Sequence, residues 1–418
     1  MNSNYHTGMK DTLCSLPWLH LFVDGMGHFN NCCLGPSVEG FSRDSDGETI
    51  LAGQPNAIRR HWNSFLMQEI RKSMHEGTKH KSCDGCWRIE DTGSESYRIS
   101  ANRDFLVPKE IQNKISVDPM IRWVDLRFGN LCNLACRMCL PYSSKKLFTE
   151  YELMYGPQST ERYKNMTWYE SEHFWDELFQ YSDYFERIHL AGGEPLLIKD
   201  CWKFLRKIAD EKKANNIHLS YNTNLTRIPI EAKELWPKFK GVILLVSMDG
   251  IGKINEFIRY PQKWNEIESN LWELENQFKE YNLQVCQIQP TIQAYNIHHI
   301  PEYCDYVAKF KNIKRIPNFN LLFGPEHFSP SVLPRSYRED VTRKIENYIQ
   351  KVESGWNNYD EWDKKSLITS LRGVIKYILR EDRPELLHEF IRHNDIYDTH
   401  RNQKILEYIP ELEVVYKK

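Results

Sequence analysis

Cys132, Cys136 and Cys139 fall inside RFGNLCNLACRMCLPY, residues 127–142, and place three thiols on one short loop. Thiolates are soft ligands suited to zinc or to iron–sulfur clusters, and a [4Fe–4S] cube takes four of them. Three thiols from one loop would leave one iron open to a molecule that chelates through an amine and a carboxylate. The competing reading is a zinc site completed by a distant residue. In either case CxxxCxxC directly after a strand points to metal chemistry.

Five further thiols cluster near the start of the chain: Cys14 in CSLPW, Cys32 and Cys33 in NNCCLG, and Cys83 and Cys86 in SCDGCW. That is one more than a four-coordinate site needs. A hairpin followed by CxxC suits a zinc ribbon as well as an iron–sulfur site, and spacing alone leans to zinc. The remaining three of the 11 cysteines read as core. Cys201 and Cys304 lie on apolar helix faces, and Cys286 shares the side of a strand with Ile288 and Ile292.

The background is that of an ordinary globular chain of 418 residues, 41% hydrophobic and 27% charged. With 55 basic against 57 acidic residues there is no basic excess to meet nucleic acid. No apolar run approaches the ~20 residues that cross a bilayer. The opening MNSNYHTGMKDTLC lacks the basic-then-apolar pattern of a signal peptide. The expectation is a cytoplasmic protein without nucleic-acid or membrane partners, and in that reducing compartment clustered thiols read as metal ligands rather than disulfides.

The elements that must position these thiols alternate from about residue 121. Strand-like runs occur at 123–128, 187–191, 217–222, 242–248, 285–292 and 319–323, with helical stretches such as 171–181 and 264–281 between them. Six β units separated by helices predict an α/β fold, a partial (βα)6 parallel barrel, with ligands gathered at the C-terminal strand ends. Residues 1–115 read as a small module of their own. It has a hairpin turning at Asp24–Gly25, a Gly/Ser-rich loop and a helix near 64–76 that stops at Gly77. It holds too little regular structure to be stable without a metal. The expected division is 1–115, a core at 116–335 and a charged helical region at 336–418 in which no motif stands out. Strand alternation puts Asp125 and Arg127 on one side of the first core strand, and Gln287, Gln289, Thr291 and Gln293 on one side of the fifth. Asp125, Arg127 and Gln289 are the candidates for substrate chemistry.

Taken in order, these motifs resemble the radical S-adenosylmethionine enzymes, specifically those with SPASM- or twitch-type auxiliary modules. The resemblance implies that Cys132, Cys136 and Cys139 hold a [4Fe–4S] cluster and that Met138 packs on the adenine. AGGEP, with Gly192, Gly193 and Glu194, resembles the family's GGEP, where backbone carbonyls and the carboxylate accept from the methionyl ammonium. Asn222 in SYNTN, Ser247 in SMDG, Arg259 in IRYP and Asn296 in PTIQAYN match further positions that contact S-adenosylmethionine. Ser247 and Arg259 are implied to hold its carboxylate, a task that a fixed charge suits. Beside such a core the N-terminal thiols are implied to carry a second, auxiliary [4Fe–4S] cluster through Cys14, Cys83, Cys86 and one of Cys32 and Cys33, with Cys32 the better match and zinc the alternative. The family's larger modules follow the barrel, whereas this one precedes it.

The chemistry implied is an oxidoreductase or maturase that cleaves S-adenosylmethionine reductively to a 5′-deoxyadenosyl radical, which abstracts hydrogen from a peptide or small metabolite. Flavodoxin or ferredoxin is the implied electron donor. No leader-binding winged helix is recognisable before residue 116, which favours a small molecule or a leader held by another protein. The alternative is a non-catalytic cluster- or zinc-binding scaffold that retains the fold. The intact GGEP and the three core cysteines argue against it.

Overall fold

The computed structural model describes residues 11–36, 40–112 and 114–416. The opening stretch read above for a signal peptide lies mostly outside them. The fold has the expected α/β class, a mostly parallel sheet with helices followed by a helical C-terminal region. Two compact units divide the chain: 1–129 with 165–220 and 238–240, and 130–164 with 221–237 and 241–418.

In the first unit β1 (His20–Val23) and β2 (Phe29–Asn30) form the expected antiparallel hairpin, pairing Phe22 with Asn30 and Val23 with Phe29. Asp24 fixes the turn, its Oδ1 accepting from Met26 N at 2.8 Å and His28 N at 2.9 Å. The hairpin is not isolated. β1 also pairs in parallel with β3 (Trp123–Phe128), His20 opposite Trp123 and Val23 opposite Leu126, and β3 pairs in parallel with β4 (Arg187–Gly192). All four β1 residues are buried, as suits a strand covered on its faces. The N-terminal stretch and the first core strands share this compact unit. The helix Phe65–Glu76 starts where Ser64 accepts from Met67 N and ends at Gly77, φ 80°. Its fully buried Arg71 donates to the carbonyls of Pro17, Trp62 and Ile115, tying three distant segments together.

β5 (His218–Thr223) follows. In the second unit β6 (Gly241–Val246) and β7 (Leu283–Ile288) pair in parallel across the helix Trp264–Asn276. The fifth expected run is broken at Pro290, which has no N–H for the ladder. It resumes as β8 (Thr291–Ile292), which pairs in parallel with β9 (Asn320–Leu321) in a separate two-stranded sheet. The sixth expected run lies beside the fifth, with Asn318 N donating to Ile288 O and Asn320 N to Pro290 O, each at 2.9 Å. The helices Arg335–Glu353, Glu361–Ile378 and Leu387–Arg401 complete the unit. Their buried Val341, Ile345, Leu371 and Phe390 share an apolar cluster with Leu134, Cys136 and Met138, so the cysteine loop and the helical tail rest on one core. No helix among the described residues is long and apolar enough to cross a membrane.

Candidate metal centres

The loop that carries Cys132, Cys136 and Cys139 has almost no regular structure and is held by side chains and by a second loop. Asn130 Nδ2 donates to the carbonyls of Pro141 and Tyr163, closing its base at 3.1 and 2.9 Å. Its centre is pinned to residues 258–260, with Ala135 N–H on Tyr260 O at 2.6 Å and Arg137 N–H on Ile258 O at 2.8 Å. Cys132 Sγ accepts from Leu134 N at 3.5 Å and from Asn224 Nδ2 at 3.8 Å. Cys136 and Cys139 share a thiol hydrogen bond, which lowers Cys136 below the ordinary thiol value and raises Cys139. The positive charge of Arg259 favours the thiolate of each. A donor set of three soft sulfurs beside a fixed cation fits an anionic iron–sulfur cluster.

Arg259 is not a lone charge. Its Nε lies 2.8 Å from Oδ2 of Asp249, the Asp of SMDG, and both side chains are buried. Burial pushes the Asp249 carboxyl up against the pull of Arg259. Burial also opposes the Arg259 charge, but Asp249, Cys136 and Cys139 outweigh it and hold the guanidinium charged. Met138 is buried in the core that backs the loop. The half-buried Ser247 donates its N–H to Thr223 O at 2.8 Å. Asn222 keeps a buried Oδ1 with no hydrogen-bond partner, an acceptor in want of a donor. Asn296 is different. Its Oδ1 accepts from Gln293 N, and its Nδ2 donates to the carbonyls of Asp249 and Thr291, at 2.9–3.0 Å. Its polar atoms are committed to folding the loop.

The remaining candidates follow strand ends. In the first unit Gly192 has φ 111°, and a Cβ there would stand 2.4 Å from Phe128 N and O. Its missing side chain is thus required by the neighbouring strand. Gly193 donates to Phe128 O at 2.9 Å, and Glu194, 2% exposed, accepts from Leu196 N at 3.1 Å. Asp125 and Arg127 share one side as expected and form an ion pair, Nε to Oδ1 2.9 Å. Burial raises Asp125 to about 6 while Arg127 works against that rise. In the second unit the continuous polar face expected for Gln287, Gln289, Thr291 and Gln293 is interrupted with the strand at Pro290. Gln287 donates to Ile316 O, Gln289 is half-buried, and Gln293 is fully buried with Nε2 on Thr291 O.

The N-terminal thiols converge. Cys14, Cys32, Cys83 and Cys86 line one small cavity with Asn31, Tyr97 and Arg98. Asn31 Nδ2 lies 3.8 Å from both Cys32 Sγ and Cys83 Sγ. Burial raises Cys14 and Cys32, and pushes Cys83 up to about 12. Thiols so disposed surrender protons when a cation is bound. Cys33 does not line the cavity. It is hydrogen-bonded to Tyr97 and feels the charges of Asp125 and Arg127. Among the described residues no three cysteine sulfurs lie mutually within 4.8 Å. The three core cysteines Cys201, Cys286 and Cys304 are fully buried, as their spacing predicts.

Several site-building residues carried no local signal. Arg137, within the cysteine motif itself, is fully buried and stacks 3.5 Å over the Phe257 ring. It donates to Phe257 O, Asn394, Asp398 and Gln403. Glu150 pairs with Arg401 through two bonds of 2.6 and 2.7 Å. The C-terminal region, in which no motif stands out, thus holds the cysteine loop. Repeated basic and acidic residues at 392–404 were the available hint, without a partner attached.

Residues 126–307 match the family model described as the Radical SAM superfamily. No curated protein matches the chain. Among solved structures, native anSMEcpe with bound AdoMet is 18% identical over 54% of this chain and 60% of its own, TM-score 0.34. Streptococcus suis SuiB bound to S-adenosylmethionine is 12% identical over 82% of this chain and 69% of its own, TM-score 0.32. SuiB bound to precursor peptide SuiA is 13% identical over 69% and 64%, TM-score 0.33. The chain thus spans 60% of the first of these structures. Residues 126–307, the part of the chain that matches this model, include Cys132, Cys136 and Cys139.

Proposed function

We propose that the chain is a radical S-adenosylmethionine oxidoreductase of maturase type, acting on a peptide or a small metabolite and supplied with electrons by a flavodoxin or ferredoxin in the cytoplasm. Cys132, Cys136 and Cys139 hold its [4Fe–4S] cluster. The observation that carries this reading is the pinning of Ala135 and Arg137 to Tyr260 and Ile258, since the intervening Arg259 then faces the thiols. The cluster, when bound, supplies one electron to cleave a carbon–sulfur bond of S-adenosylmethionine. The protein's part is to orient and to exclude water. Asp249 holds Arg259 by Nε, so that the terminal nitrogens can take the methionyl carboxylate. Ser247 assists, Met138 backs the adenine, Asn222 offers an acceptor, and Gly192, Gly193 and Glu194 take the ammonium. Asn296, which ties its own loop to Asp249, contacts the adenosine, and Asp125, Arg127 and Gln289 face the substrate.

Residues 1–115 form an auxiliary module in this reading, with Cys14, Cys32, Cys83 and Cys86 on a second [4Fe–4S] cluster. No three of these sulfurs lie mutually within 4.8 Å, which favours a cube over zinc. A tetrahedral zinc with Zn–S of about 2.3 Å holds its sulfurs about 3.8 Å apart, whereas the thiols of a cube sit on different irons at its corners. Anaerobic reconstitution with iron and sulfide, then dithionite and S-adenosylmethionine, tests the enzyme reading. Wild-type protein yields 5′-deoxyadenosine and Cys136→Ala does not. Absence of 5′-deoxyadenosine from cluster-loaded wild type, even uncoupled from substrate, would reject the proposal in favour of a scaffold.

A further inference from the structure

Away from both sets of cysteines in the sequence, a histidine pair meets a carboxylate. His298 and His299 belong to the turn Ile297–His299 that opens the helix Ile300–Val307, with ring centroids 4.0 Å apart. His298 Nε2 lies 3.2 Å from Glu411 Oε2, and His299 Nε2 lies 3.6 Å from Glu411 Oε1. One ligand atom from each residue falls within 4.8 Å of the other two. His298 is 4% exposed, yet neither ring nitrogen has a hydrogen-bond partner, because its approach to Glu411 has the distance of an ion pair without hydrogen-bond direction. A buried polar group left this way costs free energy and ordinarily finds a partner.

The spacing matches a metal better than a hydrogen bond. Nitrogen and oxygen ligands at about 2.0–2.1 Å from a tetrahedral ion stand about 3.3 Å apart, against 3.2 and 3.6 Å here. The frame is already fixed. Lys344 Nζ donates to His298 O at 2.7 Å, with its own charge paired to Glu302 Oε1 at 2.7 Å. His299 N donates to Asn296 O at 3.1 Å. Glu411 sits in the turn Pro410–Leu412 between the fully buried Ile409 and Leu412, while its own side chain is 40% exposed and leaves a way in.

We propose that His298, His299 and Glu411 bind a divalent transition metal ion with the ligand preference of zinc, leaving a fourth position for water. Two imidazoles and a carboxylate suit such an ion and not a thiolate-ligated cluster. The ion would clasp the turn Pro410–Leu412 to the start of the helix Ile300–Val307.

Full-length protein with its iron–sulfur sites loaded is equilibrated anaerobically with zinc, desalted, and measured by elemental analysis and zinc-edge X-ray absorption. The expected result is one zinc per chain with a nitrogen/oxygen shell near about 2.0 Å and no sulfur shell near about 2.3 Å. Glu411→Ala and His299→Ala, at partly exposed positions, each lower zinc affinity at least tenfold while iron and sulfide per chain stay unchanged. A sulfur shell, no bound zinc, or zinc held equally by both variants overturns the proposal. Should His298→Ala fail to fold, these two variants decide it.

Discussion

Arg259 and Asp249 form an ion pair inside the second unit, Nε 2.8 Å from Oδ2, with side chains 8% and 0% exposed. Removing one member of such a pair leaves a buried charge uncompensated, at roughly 3–5 kcal/mol. Asp249→Asn keeps the shape and removes the charge, so urea unfolding under anaerobic conditions should show a loss of that size. If Asp249 also aims Arg259 at a carboxylate, the same variant should weaken S-adenosylmethionine binding with the cluster intact. Unchanged unfolding would mean that the pair is solvated in solution.

The two adjacent cysteines separate in space, and their variants should separate in chemistry. Cys32 lines the cavity with Cys14, Cys83 and Cys86, while Cys33 bonds to Tyr97. If the chain carries the two four-iron clusters proposed above, Cys32→Ala should lower reconstituted iron by roughly half. Cys33→Ala should leave it unchanged. Equal losses from both, or none from either, would reject this ligand set.

Asp125 makes stability depend on pH. Burial raises its carboxyl to about 6 from an ordinary 3.8, with Arg127 pulling the other way. Between those values the folded chain binds more protons than the unfolded one, so this group's contribution is fully present below about 4 and is lost as pH rises through 6. The loss is on the order of 3 kcal/mol. The difference between wild-type and Asp125→Asn unfolding free energies, followed from pH 4 to 7, should carry this slope. A flat difference would show that Asp125 is solvated in the folded state.

How much of this was legible from the sequence follows from range. Ser64 and Gly77 bracket the helix Phe65–Glu76 because caps act within one turn. The alternation of strands and helices disclosed the α/β class because periodicity is local. Pro290 carried the break between β7 and β8 in plain view, and the apolar run around it masked the break. β1 beside β3 was out of reach, since pairing across a hundred residues leaves no trace in either segment. The same holds for Arg137, whose anchors Asn394, Asp398 and Gln403 lie more than 250 positions on. Asn296 shows a further role that its position in the sequence does not disclose. Its type and place suit a ligand contact, and its side chain also makes three bonds to backbone that shape the loop.

Arg137 tests whether the helical tail positions the cysteine loop. Its guanidinium reaches Asn394 at 2.8 Å and Asp398 at 2.5 Å, and stacks on Phe257. Arg137→Lys keeps a charge but not the planar fork, so it cannot make all these bonds at once. The expected result is altered electron paramagnetic resonance of the reduced loop cluster and faster loss of its iron, with any iron bound by the N-terminal cysteines unaffected. A spectrum identical to wild type would mean that the backbone bonds at Ala135 and residue 137 suffice.

Gly192 decides what the glycines of AGGEP are for. Its φ of 111° disfavours any side chain, at roughly 1–3 kcal/mol. A Cβ would also stand 2.4 Å from the backbone N and O of Phe128, where β3 pairs with β4. Backbone on both sides of that contact cannot yield as a side-chain tip can, so Gly192→Ala must part the two strands locally. Unfolding without any ligand should therefore show a loss above about 1 kcal/mol. If the variant instead keeps wild-type stability and loses only S-adenosylmethionine binding, the glycine serves the ligand and the strand contact is relaxed in solution. If stability falls while the affinity of the remaining folded protein is preserved, the first glycine belongs to the fold, and ligand recognition rests on Gly193 and Glu194.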